Sequence, residues 1–175
     1  IRLEQFPNSI WVEIETDENL TGLGEAWRGT AAIETIIHHD ICPWLIGQDS
    51  RNIELISRTL LTPSVGFHSA SAEIRAASAI DIALWDLAGK RHGIPVYEAL
   101  GGASRSSIQV YNTCSGYSFN ASSSAYNSGT SRRMITDKDE MRGPYDDQVA
   151  FTRDAGALAK SLLSEGYKIM KIWPF

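Results

Sequence analysis

The chain has 175 residues, 43% hydrophobic and 21% charged, a composition that places it among globular proteins rather than disordered, fibrous or membrane-embedded ones. With 16 Lys and Arg against 21 Asp and Glu, the formal net charge is -5 and no basic block occurs, so nucleic acid is not an expected partner. No run approaches the roughly 18 apolar residues of a membrane span, and Ile1-Arg2-Leu3-Glu4 lacks a secretory layout; the expectation is a cytoplasmic protein without a membrane partner.

Ile10, Val12 and Ile14 alternate with Trp11, Glu13 and Glu15, the period of a strand with one buried face, and Asp17-Glu18-Asn19 begins a polar turn. A second short strand follows over 24–27. Helices are predicted over 31–39, from Ile33, Ile36 and Ile37, and over 53–61, from Ile53, Ile56 and Leu60, with Pro43 ending or kinking the region after the first. The strongest helix signal covers 72–89, where Ala76, Ile80, Ala83, Leu84 and Leu87 form one apolar stripe; Gly93 and Pro95 mark the exit. Its many alanines predict close approach to another element.

Ser104 to Ser107 is a polar junction, and a domain boundary is placed there: 1–107 before it, 108–175 after it. Strand character resumes at Ile108-Gln109-Val110-Tyr111. A long polar loop over 115–146 follows, longer than the ~12–15 residues usual for loops, then a helix over 147–165 closed by Gly166 and a strand over 167–173. Strand, helix and strand in this order open a parallel sheet or barrel. Two parallel strands leave unpaired edges and an uncovered apolar face, so the sequence reads as unfinished.

Cys42 and Cys114 stand alone and read as small buried thiols, not as a metal pair or disulfide framework. Asn120-Ala121-Ser122 fits a glycosylation sequon but reads as part of a polar loop. Glu25, Asp81 and Asp86 read as structural, His38 and His39 as solvated. His68, in a loop before the long helix, is either a cap residue or a substrate contact. Asn112 ends the first strand of the second domain and is expected to face a site there.

Alternation places Ile169, Lys171 and Trp173 on one face of the last strand and Lys168, Met170 and Ile172 on the other. If Met170 and Ile172 face the covering helix, Lys171 points to the interior near the strand's carboxyl end, where such folds build their sites. A lysine there is partly desolvated, which disfavours the ammonium and suits it to act as a base. The alternative is a solvated lysine at a strand end.

The chain resembles the enolase superfamily, and within it the mandelate racemase and muconate lactonizing enzyme branch. The matching residues are the run from Glu15 through Thr21-Gly22-Leu23-Gly24-Glu25-Ala26, then Ala79-Ile80-Asp81-Ile82-Ala83-Leu84-Trp85-Asp86-Leu87-Ala88-Gly89-Lys90, Gly93-Ile94-Pro95-Val96-Tyr97-Glu98, Leu100-Gly101-Gly102 and Met170-Lys171-Ile172-Trp173-Pro174-Phe175. The resemblance implies an α+β capping domain over 1–107 and the first strand-helix-strand portion of a modified TIM barrel over 108–175, the barrel incomplete within this chain. It implies Mg2+, bound by acidic residues that would lie beyond Phe175, so no metal ligand is named here. Abstraction of the weakly acidic proton alpha to a carboxylate needs a base and a cation that stabilises the developing oxyanion. Lys171 matches the second lysine of the family's Lys-x-Lys motif, the catalytic base; Ile169 stands where the first would be. His68, Asn112 and Trp173 are the candidate substrate-binding residues.

The function implied is dehydration, epimerisation or racemisation, or cycloisomerisation of a small-molecule carboxylate, a sugar acid in preference to mandelate, by a lyase or isomerase that forms a homo-oligomer. Activity is not expected of the 175 residues alone. The alternative is a noncatalytic, truncated capping-domain module that assembles with another chain; the length of the reading frame separates the two, since a full barrel needs about 200 further residues.

Overall fold

A computed structural model describes residues 1–2, 6–62, 71–115 and 146–172. The loop over 116–145, His68 and Trp173 lie outside the described residues. The chain divides into two units, Ile1–Ser104 and Arg105–Phe175.

The first unit is built on an antiparallel hairpin of β1 (Ser9–Glu15) and β2 (Thr21–Trp27), in the register Val12 opposite Gly24 and Trp11 opposite Glu25. Ile1 and Arg2 pair along the other edge of β1: the Trp11 N–H donates to the Ile1 carbonyl at 2.9 Å, and Arg2 bridges to Ile10. Alternation puts Ile10, Val12 and Ala26 inside, while Trp11, Glu13, Leu23, Glu25 and Trp27 are exposed. The hairpin turn is closed by Thr16, whose hydroxyl and N–H both donate to the Leu20 carbonyl, with Asn19 in the left-handed region at φ 57°.

The inward face is covered by α4 (Ala72–His92), the 21-residue helix of the alanine stripe, after α1 (Thr30–Thr35), α2 (Cys42–Leu45) and α3 (Ile53–Leu61). Ala76, Ala79 and Ala83 are fully buried, and the close approach they predict is made to β2: a Cβ on Gly22 would overlap the carbonyl of Ala83, and one on Gly24 that of Ala79. Small residues on both elements bring backbone onto backbone. Ile33, Ile37, Ile41, Ile56, Ile80, Leu84 and Leu87 complete this core. The helix runs three residues past Gly89, through Lys90, Arg91 and His92, and the positive charges of Lys90 and Arg91 suit a C-terminus; Gly93 at φ 66° then turns the chain and the Ile94 N–H reaches back to the Gly89 carbonyl. A short α5 (Val96–Ala99) follows Pro95.

The helix predicted over 31–39 differs in detail. α1 passes into a π-helical turn, Ile36–Ile41, and α2 begins at Cys42 with Pro43 in its first turn. Proline lacks an N–H and its ring crowds the carbonyl four residues earlier; the wider turn ahead of it lets the helical path continue, so Pro43 neither ends nor interrupts it.

The second unit contains α6 (Asp147–Ser164), capped by Asp146, whose carboxylate accepts from the Val149 N–H. The helix breaks at Asp154 (φ −153°, ψ 87°), where the Asp154 carboxylate accepts from the Ala157 N–H at 2.9 Å and restarts it. Leu158 and Leu162 are buried against Cys114, with Phe151, Tyr167 and Met170 around them. The strands predicted over 108–111 and 167–173 are not formed as such among the described residues; a single parallel bridge joins Asn112 to Met170. A lone parallel pair covers neither face, and Ile108 and Val110 remain exposed. Among the described residues no helix is long and apolar enough to cross a membrane.

Candidate functional site

The parallel bridge positions every described candidate of the second unit. The Asn112 N–H donates to the Ile169 carbonyl at 3.1 Å and the Lys171 N–H donates to the Asn112 carbonyl at 2.8 Å, fixing the backbone of Lys171 against the chain that carries Tyr111. Met170, the bridge partner of Asn112, packs against Cys114, Leu158 and Leu162. Asn112 also turns toward α6: its Nδ2 donates to the Asp147 carboxylate at 3.0 Å, and its Oδ1 accepts from the Cys114 N–H at 2.7 Å. Its amide group is therefore engaged at both ends in holding the first turn of α6 and the following loop.

Asn112, expected to face a site, has its side chain engaged by Asp147 and Cys114. With Asn112 and Met170 on the helix side, alternation places Tyr111 and Lys171 on the opposite side, and the Lys171 ammonium lies 5.6 Å from the centre of the Tyr111 ring. Lys171 is exposed, so the partial desolvation expected from its strand position is not found. The signal for Tyr111 was present in the alternation of 108–111, but only the pairing with Met170 says which side each residue takes.

Cys114 is buried, as expected of a small core thiol, and holds a left-handed backbone at φ 52° with its N–H bonded to Asn112. Burial, then the negative charge of Asp147, pushes its thiol above the ordinary range, against the opposing effect of the Lys171 N–H. A thiol so held is a poor nucleophile.

On the first unit the acidic residues of α4 serve the fold. Asp81 accepts from the Ser57 hydroxyl of α3. Asp86 accepts from the Leu23 N–H of β2 at 2.8 Å and from Lys90 at 2.7 Å, and Lys90 donates to the Thr21 carbonyl at 2.6 Å. Together the pair satisfies outward-facing backbone groups of β2. Glu25 lies on the exposed face of the hairpin opposite Trp11. Among the described residues no group of three or more His, Cys, Asp or Glu is arranged to hold a metal ion.

Residues 5–101 match the family model described as the N-terminal domain of mandelate racemase / muconate lactonizing enzyme. A D-mannonate dehydratase of Rhizorhabdus wittichii is 36% identical over 111 residues, 62% of this chain and 27% of the relative. A D-galactonate dehydratase of Ralstonia nicotianae is 38% identical over 112 residues, 63% of this chain and 29% of the relative. The chain thus matches less than a third of the length of these curated relatives. Among solved structures, an enolase protein from environmental sequencing of the Sargasso Sea is 47% identical with a TM-score of 0.73, covering 99% of this chain and 37% of that one. An enolase of the mandelate racemase subgroup from Agrobacterium tumefaciens is 37% identical with a TM-score of 0.68, covering 96% and 35%.

Proposed function

This chain belongs to the mandelate racemase / muconate lactonizing enzyme family, its first unit being the family's N-terminal capping domain, and we propose that the protein dehydrates a sugar acid with Lys171 as the base. The observation that most directly supports the substrate class is the 36–38% identity to D-mannonate and D-galactonate dehydratases. The second unit is, on this proposal, the opening strand-helix-strand of a TIM-type barrel, as the parallel bridge beside α6 suggests. His68 and Trp173 remain proposed substrate contacts, and a cytoplasmic homo-oligomer accompanies the proposal.

The chemical step follows from the substrate. In an aldonate the carbon beside the carboxylate carries one hydrogen. The Lys171 amine takes it as a proton, the C–H electron pair moves into the enolate, and as the enolate collapses to the carbon 2–carbon 3 double bond the hydroxyl on carbon 3 departs as water, its proton supplied by solvent. The resulting enol tautomerises to a 2-keto-3-deoxy acid. Mg2+ is the cofactor proposed with this chemistry, its role being to neutralise charge on the enolate. The described residues do not assemble a seat for it, so the step is derived for Lys171 alone.

The test is incubation of the intact protein with Mg2+ and a panel of aldonates including D-mannonate and D-galactonate, following the keto acid as its semicarbazone. Keto acid formation from an aldonate is expected. Alpha-proton exchange without keto acid would replace dehydration by epimerisation.

A further inference from the structure

The side of the bridge that faces away from α6 holds an aromatic ring beside the proposed base. We propose that Tyr111 is a positioning residue for Lys171, its ring holding the Lys171 side chain over that side of the bridge. This inference rests on the proposed role of Lys171.

Three observations carry it. The two backbone bonds of Asn112, to Ile169 and from Lys171, fix the register of the two segments. Asn112 and Met170 are both committed to the α6 side, through Asp147 and through the Leu158 and Leu162 core, which leaves Tyr111 on the side of Lys171. Nζ then lies 5.6 Å from the ring centre, within the roughly 6 Å over which an ammonium is drawn to an aromatic face. Ile169, two residues before Lys171 on the same strand side, brings no charge of its own.

The consequence is geometric. A ring beside a long flexible stem limits the rotamers that Lys171 samples and keeps its amine on that side of the bridge. The phenol hydroxyl takes no part, so phenylalanine should serve and an aliphatic residue should not.

The test compares Tyr111→Phe and Tyr111→Leu in the intact protein by two readouts. In alpha-proton exchange on D-mannonate or D-galactonate, Tyr111→Phe is expected to stay within about two-fold of wild type, and Tyr111→Leu to lose about five-fold in kcat with KM unchanged. Independently of substrate, the ε-methylene resonance of 13C-labelled Lys171, assigned with Lys171→Arg, is expected to be ring-shifted in wild type and Tyr111→Phe and to move to the ordinary lysine position in Tyr111→Leu. An unshifted resonance in the wild type, or a Leu variant with wild-type kcat, overturns the inference. If Lys171→Ala still exchanges the proton, the base assignment itself has failed; if it does not, and Tyr111→Leu is unaffected, only the role of Tyr111 has failed.

Discussion

The backbone N–H of Leu23 in β2 donates to the carboxylate of Asp86 in α4 across 2.8 Å, 63 residues away in sequence. A strand edge is thereby closed by a helix side chain rather than by another strand, which removes a template for unwanted pairing.

Asp86 makes the first unit acid-sensitive. Burial raises its carboxyl, but the hydrogen bonds from Lys90 and from Leu23, with the Lys90 charge, outweigh this and hold it below the usual range. Because the folded value is depressed, the stabilisation is present above the unfolded value of roughly 4 and is lost as pH falls through the folded one. Asp86→Ala is expected to cost about 1–2 kcal/mol at neutral pH, allowing for partial exposure. In urea unfolding of wild type and Asp86→Asn, the stability difference should shrink as pH falls below about 4; a constant difference would contradict the ion-pair contribution.

Gly24 is required by space. A Cβ there would overlap the Ala79 carbonyl, so Gly24→Ala is expected to destabilise the unit by about 2–3 kcal/mol or more. The obstacle is backbone, and the double variant Gly24→Ala with Ala79→Gly should therefore recover little of the loss in thermal unfolding. Full recovery would show that side-chain crowding was the cause.

Asn112 is expected to act on stability. Asn112→Ala removes the bond to Asp147 and the one that holds Cys114, at a cost of about 1–2 kcal/mol. Hydrogen exchange should quicken at Cys114 and in the first turn of α6. A raised KM with unchanged exchange protection would instead return Asn112 to substrate binding.

The hairpin and the helices of the first unit were legible in the sequence because burial imposes a period on them: Ile10 and Val12 at two, Ala76, Ile80, Ala83 and Leu87 at three and four. What α4 packs against was less legible, since Gly22 and Gly24 signal a close approach without naming the partner. The π-helical turn before Pro43 escaped altogether; local periodicity does not register one extra residue in a turn. At the candidate site, Lys171 followed from a motif, whereas the placing of Tyr111 on the side of Lys171 depends on a register between segments 58 residues apart. No local pattern encodes that register.

The base assignment is tested most directly by alpha-proton exchange in D2O, with Mg2+ and D-mannonate or D-galactonate, on the intact wild-type protein and its Lys171→Ala variant. Wild type should exchange the proton, and Lys171→Ala should lose about 10²–10⁴-fold while retaining its far-UV spectrum and thermal transition. Undiminished exchange in a folded Lys171→Ala protein would contradict the role of Lys171 as the base.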